Sequence, residues 1–184
     1  MLPIAILLVF VGRLTGGNLI GIKRYERELT VFKFDSKVVL ITGASYGLGE
    51  QFAYAFAEAG ADLVITARTS ELLEAVATTC RQKGAQVTVS CGDVAKEEDV
   101  QRVVSSGIKE HGKIDVLINN AGIADMRGVA AEQFDAETFN NILSVDLVGA
   151  FYFARECGRH MLENGTGSVV NICSIMGSGG NENN

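Results

Sequence analysis

Five short apolar runs alternate with segments of helical period: KVVLI (37–41), ADLVITA (61–67), AQVTVSC (85–91), IDVLINNAG (114–122) and GSVVNICS (167–174). Val, Ile and Leu are near-continuous in these runs rather than alternating with polar residues. That is the signature of parallel strands covered by helices on both faces. Between them, GLGEQFAYAFAEAG reads as an amphipathic helix ended by Gly60. SELLEAVATTCRQKG reads as a second, with Ser70 as candidate N-cap and Gly84 at its end. KEEDVQRVVSSGIKEHG carries its acidic residues in the first turn, where the helix dipole favours them. AETFNNILSVDLVGAFYFARECGRHM is one long stretch of helical period. Crossovers between parallel strands are right-handed. The expectation is therefore an α/β fold, a doubly wound parallel sheet binding its ligand at the carboxyl ends of the strands near the switch point. Residues 34–176 form that domain, 1–33 an apolar extension and 177–184 a flexible polar tail.

Composition narrows the function classes. The net charge of −6 comes without a basic block, which argues against nucleic acid as a partner. Cys80, Cys91, Cys157 and Cys173 form no C-x-x-C pair, so neither a zinc knuckle nor a redox dithiol is indicated and no metal is expected. Buried free thiols suit a reducing, cytoplasmic setting. Against that stands LPIAILLVFV, Leu2 to Val11, an apolar run of about ten residues, too short to span a bilayer. It matches a signal-peptide core in length but lacks the preceding charge and the small-residue cleavage site. Membrane contact through residues 2–22, at the endoplasmic reticulum or a similar membrane, is the alternative to a cytoplasmic location. The sequon Asn164-Gly165-Thr166 matters in a luminal protein and otherwise reads as a surface turn.

The loop TGASYGLGE, Thr42 to Glu50, leads from the first strand into the first helix. Amide groups at a helix start lack partners and carry partial positive charge, which suits a pyrophosphate if no side chain blocks its approach. Gly43, Gly47 and Gly49 remove such side chains, and Ser45 and Tyr46 add hydroxyl donors. A nucleoside-triphosphate loop would need Gly-Lys-Ser/Thr, and no lysine is present. A tight strand-to-helix turn is the plainer alternative. At the end of the second strand, where a carboxylate would hold the ribose 2′-hydroxyl of NAD, stands Arg68. A guanidinium there suits a 2′-phosphate, so NADP(H) is favoured over NAD(H); a solvated, helix-capping arginine is the alternative.

From about residue 36 to 180 the chain resembles the short-chain dehydrogenase/reductase family, whose fold is the Rossmann-type sheet. Thr42-Gly43-x-x-x-Gly47-x-Gly49 matches the family's cofactor loop, in which Leu48 also lies. CGDV matches its adenine-contacting segment, here Asp93 and Val94. NNAG matches its fourth-strand motif, here Asn120, Ala121 and Gly122 with Asn119 before them. GSVVNICSIMG matches its fifth strand and puts Ser174 at the catalytic serine. The resemblance implies hydride transfer between a nicotinamide and a carbonyl or alcohol carbon of a small molecule. A developing oxyanion needs a donor and a proton source. In the family a serine polarises, a tyrosine donates the proton, a lysine lowers the tyrosine pKa, and an asparagine supports a water relay.

Two departures qualify this expectation. The asparagine position falls in SVDLVGAF and is Asp146, which accepts hydrogen bonds but, ionised, cannot donate one; it reads either as an altered relay or as a solvated or capped helix position. The Tyr-x-x-x-Lys pair is missing. Counting on from Ser174 passes Asn184, and Tyr25, Tyr46, Tyr54 and Tyr152 are followed four residues later by Leu29, Glu50, Glu58 and Glu156. The expectation is a truncated oxidoreductase with little or no turnover, its sheet incomplete at the C-terminal side. The fifth strand becomes an edge, and the helix face with Leu143, Leu147, Ala150 and Phe151 loses its cover, which favours pairing with another chain or a homo-oligomer. A non-catalytic NADP(H)-binding or interaction protein is the alternative. A membrane-tethered lipid or steroid carbonyl reductase is a third reading, dependent on insertion of the N-terminal run.

Overall fold

The structure is a computed structural model that describes residues 33–124 and 130–174. The apolar extension at 2–22, the tail at 177–184 and Tyr25 lie outside the described residues. Five parallel strands form one sheet: β1 (Val38–Thr42), β2 (Asp62–Thr66), β3 (Val87–Val89), β4 (Val116–Asn119) and β5 (Ser168–Asn171), in the order β3-β2-β1-β4-β5. The helices are α1 (Gly47–Glu58), α2 (Ser70–Gln82), α3 (Glu97–His111), α4 (Ala136–Leu143) and α5 (Ala150–Glu163). The chain builds outward from β1 to β3, then returns to place β4 on the other side of β1. The switch point therefore lies between β1 and β4.

Why the strands are apolar throughout is visible in β1. Val39 and Ile41 face the layer of α1 and α2, packing with Ala53, Ala57, Leu73, Val76 and Cys80. Val38 and Leu40 face the layer of α3 and α5, packing with Val100, Val103, Val104, Phe153 and Cys157. Both faces of the strand are dry, so no position tolerates a polar side chain until Thr42 at its end. Leu40, Ile41, Leu63, Ile65 and Leu117 are fully buried, each contributing about 1.5–3 kcal/mol relative to exposure. At the amino edge Asp115 ties the sheet together. Its carboxylate accepts from the Val38 amide at 2.9 Å and pairs with Lys37 at 3.1 Å and Lys113 at 3.0 Å.

Local expectations need correction in three places. Ser70 is the first residue of α2, not its cap; Thr69 holds the N-cap position, and neither side chain makes a capping bond there. The long helical stretch is not uniform: α4 and α5 are joined by a wider π-type turn, Ser144–Gly149. The close approach of this turn to the loop after β3 shows at Gly149, where a Cβ would lie 2.9 Å from the Val94 carbonyl oxygen. The thiols divide: Cys80 and Cys157 are buried, but Cys91 is half-buried and Cys173 exposed, because the last two lie in the loops beyond β3 and β5 rather than inside the layers.

Among the described residues β5 is an edge strand, with Val169 42% and Val170 40% exposed. Phe139, Leu143, Leu147 and Phe151, spaced four apart along α4, the π-type turn and α5, are exposed as well. Ala150, on the same stretch, is half-buried. Among the described residues no helix is long and apolar enough to cross a membrane.

Candidate functional site at the carboxyl edge of the sheet

Thr42 ends β1 opposite Thr66 of β2 and organises the switch point. Its hydroxyl oxygen accepts from the amides of Asn120 and Ala121, both at 3.0 Å, and its hydroxyl lies 3.4 Å from the Ile118 carbonyl it donates to. The Asn120 side chain answers across the gap, its Nδ2 donating to the carbonyls of Thr42 at 3.0 Å and Gly43 at 3.2 Å. The loops after β1 and β4 are thus knotted to each other rather than left to solvent. Asn120 spends its amide on this knot.

The three loop glycines separate into two kinds. Gly43 has φ +65° and a Cβ on it would meet the Ala121 Cα at 2.8 Å; Gly49 is buried against the Gly43 carbonyl oxygen, 2.2 Å from where its Cβ would stand. These two are glycines because the protein packs on itself. Gly47, with φ +63°, has nothing within 4 Å of a Cβ position and opens onto free space. The Ala44 amide donates to the Thr66 carbonyl at 3.1 Å. Beyond it, among the described residues, the amides of Ser45, Tyr46, Gly47 and Leu48 have no protein acceptor, and α1 starts without a side-chain cap. Tyr46, Gly47 and Leu48 are exposed, and Ser45 is buried beneath them. The start of α1 is a row of unspent donors on a positive helix end. Such a row, with one position clear of side chains, fits a pyrophosphate.

Arg68 follows β2 and is exposed; among the described residues its guanidinium has no hydrogen-bond or ion-pair partner. Its carbonyl accepts from the Cys91 thiol at 3.1 Å. Asp93 lies in the next loop, half-buried, with Oδ1 accepting from the Ala95 amide at 3.0 Å. Val94 is buried against Gly149. Asp99 accepts from the Asp93 amide at 2.9 Å and pairs with Arg102 at 2.5 Å, and Arg102 donates to the Cys91 carbonyl at 2.9 Å. The Asp93 amide, then the Arg102 side chain, hold the Asp99 carboxyl below the usual carboxylate range.

On the β4 side, Asn119 is buried and its Nδ2 donates to the Ala150 carbonyl and to Asn171 Oδ1, both at 3.0 Å. Its own Oδ1 is buried without a partner among the described residues, as is Thr66 Oγ1. Thr42, Val94, Asn119, Ala121 and Val145 come together where these loops meet the π-type turn. Asp146 is exposed and accepts from the Ile123 amide at 2.9 Å. It fastens the segment after Gly122 to the π-type turn and is not simply solvated. Ser174 is exposed three residues past β5, at the same edge of the sheet. Among the described residues no cluster of His, Cys, Asp and Glu could hold a metal ion. Sequence reasoning passed over Asp99 and Arg102, and named Thr42 and Asn119 only as members of motifs, without the bonds they make. Thr42 carries a visible signal, being polar at the end of an apolar run; the Asp99–Arg102 pair carries none, since it looks like any solvated helix face.

A family model described as short chain dehydrogenase matches residues 37–184. The chain is 36% identical over 152 residues to a D-threitol dehydrogenase of Mycolicibacterium smegmatis, covering 80% of this chain and 57% of that one. It is 32% identical to a gluconate 5-dehydrogenase of Gluconobacter oxydans, covering 79% and 56%. It resembles the crystal structure of levodione reductase with a TM-score of 0.79 at 35% identity, covering 82% of this chain and 59% of that one. An NAD+-bound xylitol dehydrogenase superposes with a TM-score of 0.77 at 33% identity, covering 82% and 58%. The chain thus spans little more than half the length of these relatives.

Proposed function

The chain belongs to the short-chain dehydrogenase family, and from that premise we propose that it binds NADP(H) in preference to NAD(H) and serves hydride exchange with a small carbonyl or alcohol. The observation that carries the reading is the pairing of unspent amides at Ser45 to Leu48 with an unpaired guanidinium at Arg68. The amides suit a pyrophosphate, and Arg68 suits a further phosphate on the ribose by two parallel N–H···O bonds. The NAD+-bound relative supports a nicotinamide dinucleotide as such; Arg68 supports the phosphorylated form.

The cofactor, when bound, supplies or takes up the hydride. The chain's residues orient and polarise. Gly43, Ser45, Tyr46, Gly47, Leu48 and Gly49 form the cradle; Asp93 and Val94 face the adenine end; Asn120, Ala121 and Gly122 form the wall toward the nicotinamide end. Ser174 donates its hydroxyl to the substrate oxygen, where negative charge develops. Asp146, occupied by the Ile123 amide, fixes the wall rather than relaying a proton. No tyrosine in the sequence has a lysine four residues on, so these residues supply the binding half of the chemistry, and little or no turnover is expected from the 184 residues alone.

The test is a fluorescence titration of the full chain with NADPH and NADH, repeated with Arg68→Asp. NADPH is expected to bind more tightly, by about tenfold or more for a bidentate phosphate contact, and the variant to lose that margin. Equal affinities for the two would overturn the Arg68 assignment; binding of neither would overturn the cradle.

A further inference from the structure

We propose that Asp99 and Arg102 of α3 are positioning residues that hold the adenosine end of the dinucleotide site in its binding shape. This rests on the nicotinamide-dinucleotide reading above and assigns residues that do not themselves reach into the cradle.

Two loops must face each other to grip an adenosine. One follows β2 and presents Arg68; the other follows β3 and presents Asp93 and Val94. Their backbones are joined directly by the Gly92 amide, which donates to the Ala67 carbonyl at 3.0 Å, and by the Cys91 thiol on the Arg68 carbonyl. α3 then closes the ring from behind. Asp99 takes the Asp93 amide with one oxygen and Arg102 with the other; Arg102 reaches back to the Cys91 carbonyl. The two bonds bracket Gly92, at which a Cβ would meet Asp99 Cβ at 3.3 Å. One charged pair thus fixes the residue before Gly92 and the residue after it. The lowered carboxyl of Asp99 is consistent with a group that stays ionised in this duty.

Position explains why this matters to binding more than to folding. The Arg102 side chain is 53% exposed, and an exposed ion pair alone adds little to stability. What it holds is a loop with no strand partner of its own beyond Gly92, carrying the Asp93 carboxylate assigned to the adenine. Without the pair, ordering that loop becomes part of the cost of binding.

The experiment measures the affinity of the full chain for NADPH, for adenosine 2′,5′-bisphosphate and for reduced nicotinamide mononucleotide. The variants are Arg102→Ala, Arg102→Lys, Asp93→Ala and the Asp93→Ala/Arg102→Ala pair, each with a thermal melt. Arg102→Ala is expected to weaken NADPH and the bisphosphate alike by about tenfold, the value of a charge-assisted bond, and to leave the mononucleotide unchanged. Arg102→Lys should recover part of the loss. The double variant should be no weaker than Asp93→Ala alone, because Arg102 acts only by holding the loop that presents the Asp93 carboxylate. Wild-type affinity of Arg102→Ala for the bisphosphate, or additive losses in the double variant, would overturn the proposal while leaving the dinucleotide reading intact. Failure of the wild type to bind either NADPH or the bisphosphate would remove that reading, and this proposal with it.

Discussion

Exchanging Gly47 and Gly49 for alanine, one at a time, separates what the cradle needs for folding from what it needs for a ligand. At Gly47 the added methyl meets nothing within 4 Å, so its cost is the left-handed backbone at φ +63°, about 1–2 kcal/mol. For a chain of this size that is about 2–8 °C in melting temperature. At Gly49 the backbone is relaxed but the methyl falls 2.2 Å from the Gly43 oxygen and 2.6 Å from Asn120 Nδ2. Overpacking against backbone costs about 1–3 kcal/mol. Displacing Asn120 from its two carbonyls adds about 0.5–1.5 kcal/mol for each bond. The sum, about 2–6 kcal/mol, is a large share of a typical total of about 5–15 kcal/mol. Thermal melts and NADPH titrations on both variants are the assay. Gly47→Ala is expected to melt a few degrees early and to lose NADPH affinity out of proportion, because in the proposed cradle its methyl would meet the diphosphate. Gly49→Ala is expected to be the less stable of the two. If Gly49→Ala melts no lower than Gly47→Ala, the packing argument is wrong; if Gly47→Ala binds NADPH at full strength, the open cradle is not where the ligand lies.

Burial raises the Asp115 carboxyl, but the Val38 amide, Lys113 and Lys37 outweigh it and the net shift is downward. A carboxyl depressed in the folded state contributes stability above its unfolded value of about 3.9 and loses it as pH falls through the folded value. Asp115→Asn should therefore cost about 1–3 kcal/mol at neutral pH, and denaturant melts should show the gap narrowing below about pH 4; a gap that stays constant into acid would refute the assignment. Burial pushes the Cys157 thiol up to about 12 and Cys80 up to about 11. Brief alkylation at mildly alkaline pH followed by peptide mapping should label Cys173 first and Cys91 more slowly, with Cys80 and Cys157 protected until unfolding; early labelling of Cys157 would contradict its burial.

How much could be read before any coordinates follows from what each residue's reason for being there is. The sheet was legible because its cause is local: runs such as VVLI and LVIT are apolar on both faces, and only parallel strands between two helical layers bury both. The helix ends at Gly60 and Gly84 were legible for a similar reason, and both glycines have positive φ, +92° and +98°. Arg68 could be placed just past the second strand because the apolar run before it stops there, and its contact with a phosphate is the proposal made above. What escaped depends on partners distant in sequence. Thr42 meets Asn120 across 78 residues, and no periodicity announces that. Asp146 could be placed by motif, yet its acceptor role toward Ile123 follows from the π-type turn, which interrupts a helical pattern that looks continuous in the sequence. The division of the loop glycines was likewise hidden, since three identical residues serve two different ends.

That division bears on why the site is built as it is. A loop with four unpaired amides would ordinarily relax until it satisfied them. Here it is prevented from doing so on three sides. Thr42 and Asn120 hold its start to β4, the Ala44 amide is spent on Thr66, and Gly49 sits so close to the Gly43 carbonyl that α1 cannot tilt away. Tyr46, Gly47 and Leu48 are exposed, so water can serve their amides at little cost. A ligand that replaces that water meets donors already ordered, so the entropy of shaping the loop is met during folding and does not weaken binding. Stiffness at Thr42, Gly49 and Asn120 and openness at Gly47 are therefore two requirements of one cradle. A substitution that loosens the first three should weaken the ligand even where it adds no atom in the ligand's path.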